Sequence, residues 1–171
     1  MQDNTLGLPR LARSEEVGTL RQLVTDAYTL YIERMGKAPG PMLDDYARRV
    51  ADGQAWVLEI DHVIAGLIVL EDDGRSLLLD NVAVSPAAQG RGLGRRLIAF
   101  AEDEARRRGH VEVRLYTNVL MAENIVLYER LGFRKTELIR EHGFDRQYMT
   151  KALDGVATPR EAPIREGGAG P

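Results

Sequence analysis

The sequence predicts a mixed α/β domain whose elements run β-α-α-β-β-β-α-β-α-β-β. Three observations carry that expectation. From Gly92 to Arg108 the apolar residues Leu93, Leu97, Ala101 and Ala105 return at every fourth place, the mark of an amphipathic helix. The run HVIAGLIVL is too continuously apolar to be one-sided and reads as a buried strand or hairpin arm, and LLLDNVAV reads as a further strand with two polar residues in its middle. Gly or Pro stands at most of the junctions between periodic segments.

A short strand is expected around Leu8 to Arg13. Ser14 then caps a helix with Glu15 and Glu16 in its first turn and Val17, Leu20, Val24, Ala27, Tyr28 and Tyr31 on one face, ending before Gly36. KAPGP makes a turn, and Pro41 suits the first position of a short helix carrying Met42, Tyr46 and Val50, stopped near Gly53. AWVLEI and HVIAGLIVL form two strands joined through Asp61-His62, EDDGR turns the chain, and LLLDNVAV (Leu77 to Val84) is a strand ended by Pro86. The Gly92–Arg108 helix has Arg106, Arg107 and Arg108 in its last turn and Gly109 beyond it, which suits the negative end of the helix dipole. VEVRLYT alternates as a strand, Ala122 to Leu131 is helical, and strands near FRKTELI and RQYMTKAL flank a turn at His142-Gly143.

Composition narrows the function. A chain of 171 residues and 19.1 kDa, 44% hydrophobic and 29% charged, is sized for one domain, here expected over residues 1–153. Gly155 to Pro171 holds seven Gly or Pro in seventeen residues, too little apolar surface to offset ordering, so residues 154–171 are expected to be a flexible tail. A net charge of -3 and a pI near 5.7 argue against a dedicated nucleic-acid binder. Without cysteine there is no thiolate metal site, Fe–S cluster or catalytic thiol, and His62, His110 and His142 have no ligand-like spacing, so no metal is expected. No charged segment followed by an apolar one opens the chain, and no apolar run approaches the ~20 residues that cross a bilayer. The expectation is a cytoplasmic protein that engages neither membrane nor nucleic acid.

The chemistry begins at Gln89-Gly90-Arg91-Gly92-Leu93-Gly94, between a strand and a helix start. Helix N-termini present N–H groups without internal partners, and glycine lets a ligand approach the main chain. A phosphate-binding P-loop needs Lys-Ser or Lys-Thr after its last glycine, which is absent; a dinucleotide G-x-G-x-x-G counted from Gly90 fails at Arg95. Arg91, Arg95 and Arg96 crowd the positive end of the dipole, an arrangement that a bound pyrophosphate would turn favourable. A solvated helix start with glycines that only turn the chain gives the same pattern.

The spacing Val84…Gln89-x-x-Gly92-x-Gly94 resembles the Q/R-x-x-G-x-G/A motif of the GNAT family of acetyl-CoA-dependent acyltransferases, with LLLDNVAV ahead of it and NIVLYERLGF behind. The resemblance covers Leu77 to Phe133 at the level of motifs and about Leu8 to Leu153 at the level of fold. It implies a bacterial-type N-acetyltransferase, for a small molecule or a protein, that moves an acetyl group from acetyl-CoA to a primary amine by direct attack in a ternary complex. By the same resemblance the main chain at Val82, Ala83 and Val84 pairs with the pantetheine arm. The turn of Gln89, Gly90, Arg91, Gly92, Leu93, Gly94 and Arg95 holds the pyrophosphate through its N–H groups.

Asp80 and Asn81 interrupt a strand otherwise made of Leu, Val and Ala, so at least one polar group points inward, and a buried carboxylate needs a partner or a task. In the family an acidic residue on this strand deprotonates the acceptor. Its best-known position matches Leu78, but alternation puts Leu78, Asp80 and Val82 on one face unless a bulge intervenes, which nominates Asp80. A purely structural carboxylate is the competing reading. Tyr128 matches the family tyrosine that protonates or stabilises the departing thiolate; a helix tyrosine packed beside Ile125 and Leu131 is the alternative. The family's asparagine seven places before that tyrosine is Met121 here, leaving Asn124 or Asn118 to supply an amide to CoA.

The resemblance also implies that the first two helices and the Glu141 to Phe144 turn wall the acceptor, nominating Tyr28, Tyr31, Arg34, Met35 and Met42. Arg34 is either a carboxylate binder or part of a solvated face. The acceptor amine itself is not written in the sequence. The family's habits admit a homodimer, and a non-catalytic CoA-binding regulatory module is the alternative to an enzyme.

Overall fold

The computed structural model describes residues 6–155. Residues 156–171, most of the expected tail, lie outside the described residues. Seven strands form one sheet in the order β1-β2-β3-β4-β5-β7-β6: β1 Arg10–Leu11, β2 Ala55–Ile60, β3 Val63–Asp72, β4 Leu77–Val84, β5 Glu112–Asn118, β6 Arg134–Glu141 and β7 Phe144–Ala152. Helices α1 (Val17–Met35) and α2 (Tyr46–Ala51) cover one face; α3 (Leu93–Arg107) and α4 (Ala122–Arg130) cover the other. The element order is the expected one.

Two cores follow from this sandwich. Leu20, Leu23, Val24 and Ala27 of α1 close on Val57, Leu67 and Val69, while Leu93, Leu97, Ile98 and Ala101 of α3 close on Leu58, Ile68, Leu70, Leu77 and Leu79. The continuity of HVIAGLIVL is thus explained: β3 is covered on both faces. Gly66 lets α3 come close, since a Cβ there would stand 3.0 Å from Leu97 Cδ1.

Two local expectations need correction. Ser14 is not the helix cap: residues 14–16 form a 3-10 turn, and Glu16 reaches back to accept the Arg13 N–H at 2.8 Å, so α1 begins at Val17. The single helix expected after Pro41 is two pieces, a 3-10 turn at Gly40–Leu43 and then α2. Asp44 is extended (ψ 152°), and Asp45 caps the second piece by accepting the Arg48 N–H at 3.1 Å. The Gly36 stop stands as expected, at φ 71° with its N–H on Ile32 O.

Two irregularities in β4 prepare the site. Its register against β3 runs Val69↔Asn81 and then Leu70↔Leu79, so Asp80 is the extra residue of a β-bulge. On its other edge β4 pairs in parallel with β5 only from Leu77↔Val113 to Leu79↔Leu115, while β5 continues along β7 to Asn118↔Arg146. From Asp80 onward the two central strands part and leave a gap in the sheet.

Candidate active site

The gap is the floor of a cleft holding about 520 Å³ of empty space, part of it open to solvent. Asp80, Asn81 and Val82 line it from β4, Tyr116, Thr117 and Asn118 from β5, Tyr28 and Met35 from α1, Asn124 and Tyr128 from α4, and Phe144 and Arg146 from β7. Residues named from the sequence for separate reasons therefore meet in one place.

The bulge decides what faces what. Leu77, Leu79, Val82 and Val84 belong to the α3 core, whereas Asn81 and Ala83 turn toward α1 and α2. Simple alternation from Leu78 is thereby broken: Val82 lies on the face opposite Asp80, and Asp80 and Asn81 both serve the α1–α2 side. Asn81, 3% exposed, has a partner on each amide atom: Oδ1 accepts the Tyr28 hydroxyl at 2.6 Å and Nδ2 donates to the Tyr46 hydroxyl at 3.2 Å, which itself donates to Pro41 O.

Asp80 sits in a second network. Its Oδ1 accepts the Tyr116 hydroxyl at 2.6 Å and its Oδ2 accepts from Arg49 Nη2 at 3.2 Å. Arg49 also donates to Asp44, Gln54 and Glu71, so one guanidinium gathers three carboxylates. Burial raises the Asp80 carboxyl above its ordinary range, against the pull of Tyr116 and Arg49 in the other direction. The same burial, together with the Asp80 charge, pushes the Tyr116 phenol far up, so that it remains a donor. Asp80 keeps lone pairs free, because each carboxylate oxygen accepts two bonds and each has one partner here.

Across the gap stands Tyr128. Its ring meets Phe133 edge-on at 5.9 Å and packs on the α3 core, and burial pushes its phenol up to about 12. Among the described residues its hydroxyl has no hydrogen-bond partner, a free donor in a cleft. Asn124 lines the same wall with its Nδ2 facing the Met121 sulfur at 3.6 Å, while Asn118 spends its Oδ1 on the Leu120 N–H at 2.9 Å.

The glycine turn adjoins the end of β4. Gly90 (φ 78°) and Gly92 (φ 80°) are both left-handed, the conformation that favours glycine, and a Cβ on either would meet nothing within 4 Å. Gly92 is the N-cap of α3 with no side-chain cap, and the first helical bond is Arg96 N to Gly92 O, so Leu93, Gly94 and Arg95 offer N–H groups outward. The Leu93 side chain itself is buried, and Gln89 reaches Val84 O at 3.4 Å. Ser85 N bonds Ala65 O; alternation then turns the Ala83 groups to β3 and those of Val82 and Val84 to the open edge, where Val82 O also accepts the Tyr28 hydroxyl at 3.0 Å. An open edge and a glycine-lined helix start fit an extended arm ending in a pyrophosphate.

The acceptor wall differs from the expectation. Tyr28, Met35 and Phe144 line the cleft, but Met42 packs into the α1–α2 core and Arg34 Nη1 donates to both Glu123 carboxylate oxygens, at 2.7 and 2.9 Å. Arg49, Tyr116 and Arg146 are the polar groups that sequence reasoning missed. Only Tyr116 carried a signal, since it falls on the polar side of the alternating strand with Glu112 and Arg114.

The fold and cleft define an α/β protein whose single sheet splits between its two central strands above a lined cleft. The chain matches the acetyltransferase (GNAT) domain over residues 51–135. It is 31% identical over 139 residues to the uncharacterized N-acetyltransferase YjgM of Escherichia coli, covering 78% of this chain and 77% of that one. It is 42% identical over 64 residues to the ribosomal protein bS18-alanine N-acetyltransferase of Salmonella typhimurium, 37% of this chain and 43% of that protein. The chain thus spans less than half the length of several curated relatives that it matches. In structure it resembles the PaiA N-acetyltransferase of Thermoplasma acidophilum in complex with coenzyme A, with a TM-score of 0.71 at 17% identity over 87% of this chain and 99% of that one. The chain belongs to the GNAT acetyltransferase family, whose cosubstrate is acetyl-CoA. Among the described residues no helix is long and apolar enough to cross a membrane, and no three His, Cys, Asp or Glu are grouped to hold a metal ion.

Proposed function

We propose that the protein is a cytoplasmic enzyme that transfers the acetyl group of acetyl-CoA to a primary amine by direct attack in a ternary complex. The observation that carries this reading is the pair of polar groups across the β4–β5 gap: a carboxylate with unused lone pairs at Asp80 and an unpartnered hydroxyl at Tyr128. Asp80 takes the proton of the attacking amine, which a lysine-like amine near ~10.4 must lose and an α-amine near ~7.7–8.0 loses readily. The amine nitrogen bonds the acetyl carbon, the carbon–sulfur bond breaks, and Tyr128 donates a hydrogen bond to the sulfur that leaves. A phenol near 12 is a weaker acid than a thiol near ~8.5, so Tyr128 stabilises the thiolate and the last proton comes from water. Val82 and Val84 offer main-chain groups to the pantetheine arm, the N–H groups after Gly92 take the pyrophosphate, and Asn124, whose carbonyl oxygen is not engaged, contacts CoA in preference to Asn118.

Release of free CoA with a panel of amines tests the reading. Tyr128→Phe is expected to lower kcat about 10²-fold while leaving acetyl-CoA affinity within a factor of about two, as for loss of one transition-state donor. Wild-type turnover in that variant would remove Tyr128 from the mechanism. Binding of acetyl-CoA without turnover of any amine would favour the regulatory module instead.

A further inference from the structure

The acceptor end of the cleft holds a cation whose donors are mostly unspent. Arg146 on β7 lines both the cleft and the polar mouth beyond it, where Asp80, Tyr116 and His142 also stand. Its side chain is 15% exposed and held in place: Cζ lies 4.4 Å from the centre of the Tyr116 ring and 5.9 Å from that of Phe144, and Nη1 donates to Glu141 Oε2 at 3.0 Å. That bond and a contact with the Tyr148 hydroxyl leave three of its five N–H donors unspent. Nη2 faces Gly40, where an added Cβ would come within 3.5 Å of it. The other cations nearby are committed, Arg34 to Glu123, Arg49 to its three carboxylates and Lys37 to Gly143 O.

A stacked guanidinium with a free edge is suited to a planar anion taken through two parallel bonds. We propose that Arg146 anchors a carboxylate of the acceptor, so that the substrate class is an amine that also carries a carboxylate, an amino acid or a close analogue. The inference rests on the acetyltransferase reading above. Tyr116 sets the spacing. Its ring face lies against Arg146 while its hydroxyl bonds Asp80, which sets the carboxylate over the ring and the reacting amine beside the hydroxyl of one tyrosine side chain. Charge agrees with that polarity, because the carboxylate end of the cleft meets the amine and the guanidinium end meets the acid.

The test uses the full chain and matched pairs of acceptors, free L-amino acids against their carboxamides, with a polyamine as an amine lacking any carboxylate. A charge-assisted bidentate contact predicts a preference for the acid of about tenfold to a hundredfold in kcat/KM, expressed in KM. Arg146→Gln should bring that ratio to near one with acetyl-CoA affinity unchanged, and Arg146→Lys should restore part of it. Equal rates for acid and carboxamide in the unmodified protein, which need no variant, overturn the inference, as does a ratio that survives in Arg146→Gln. Turnover of the polyamine alone overturns it while the acetyltransferase reading stands; no turnover of any amine and no binding of acetyl-CoA overturns both.

Discussion

The bulge that lines the cleft and the glycine turn beyond the end of β4 are built from different material. At the glycine turn the surface is main chain: two left-handed glycines and the uncapped start of α3. At the bulge it is side chain: Asn81 with Tyr28 and Tyr46, and Asp80 with Arg49 and Tyr116, form two neighbouring hydrogen-bond networks drawn from α1, α2, β4 and β5. A main-chain wall depends on a few adjacent residues and tolerates change elsewhere. A side-chain wall depends on the whole sandwich being assembled, and each of its members is costly to remove alone.

Arg49 is where that difference is expected to be largest. Arg49→Met leaves Asp44, Glu71 and Asp80 facing one another without their cation. Removing one partner of a buried ion network costs on the order of 3–5 kcal/mol, and the low end applies because Glu71 is 35% exposed at its side chain. Urea unfolding measures it. The acidic limb of the pH–rate profile should also move to higher pH, since a lost cation raises Asp80 further. A loss below about 1 kcal/mol would mean that the network does not hold the wall.

Asp80→Asn comes next, with an expected fall in kcat of about 10²-fold near neutral pH for loss of a general base. The sign with pH is fixed by burial. A base at Asp80 would work ionised, and burial raises its pKa, so activity is expected to fall as pH drops through that raised value and the variant to lose this limb. For stability, a raised folded-state pKa favours the fold below the ordinary carboxylate range, and that contribution is lost as pH rises through the raised value. The variant should therefore gain in Tm relative to the unmodified chain on going from acid to neutral pH. An unchanged acidic limb would leave Asp80 a structural partner of Arg49 and Tyr116.

The same contrast explains what the sequence disclosed. The α3 periodicity, the glycine turn and Tyr128 are local patterns, and each appears in the structure where those patterns put it. The bulge was not legible, because the register slip between Val69 and Leu70 belongs to the pairing of β3 with β4. Nor were the partners of Asp80: Arg49 and Tyr116 stand 31 and 36 residues away, and nothing in YARRVA marks one arginine as the hub of three carboxylates. Arg34 is a different case. The resemblance left it either a carboxylate binder or part of a solvated face, and the fold pairs it, partly exposed, with Glu123 from α4.

The main-chain wall supplies the smallest effects and the cleanest separation of fold from binding. Gly92→Ala forces a side chain into the left-handed region at φ 80°, at a cost of about 1–2 kcal/mol, and places a methyl in open space beside the helix start. Acetyl-CoA affinity should fall about tenfold by calorimetry, in line with one obstructed charge-assisted contact. Gly94→Ala is its counterpart two residues on. Position 94 is helical with nothing within 4 Å of a new Cβ, so alanine should raise stability by about 0.5–1 kcal/mol through helix propensity. If the outward N–H groups hold the pyrophosphate, a methyl there crowds the ligand and affinity drops as stability rises. Affinity that instead follows stability in both variants would place the pyrophosphate elsewhere and leave the turn a structural one.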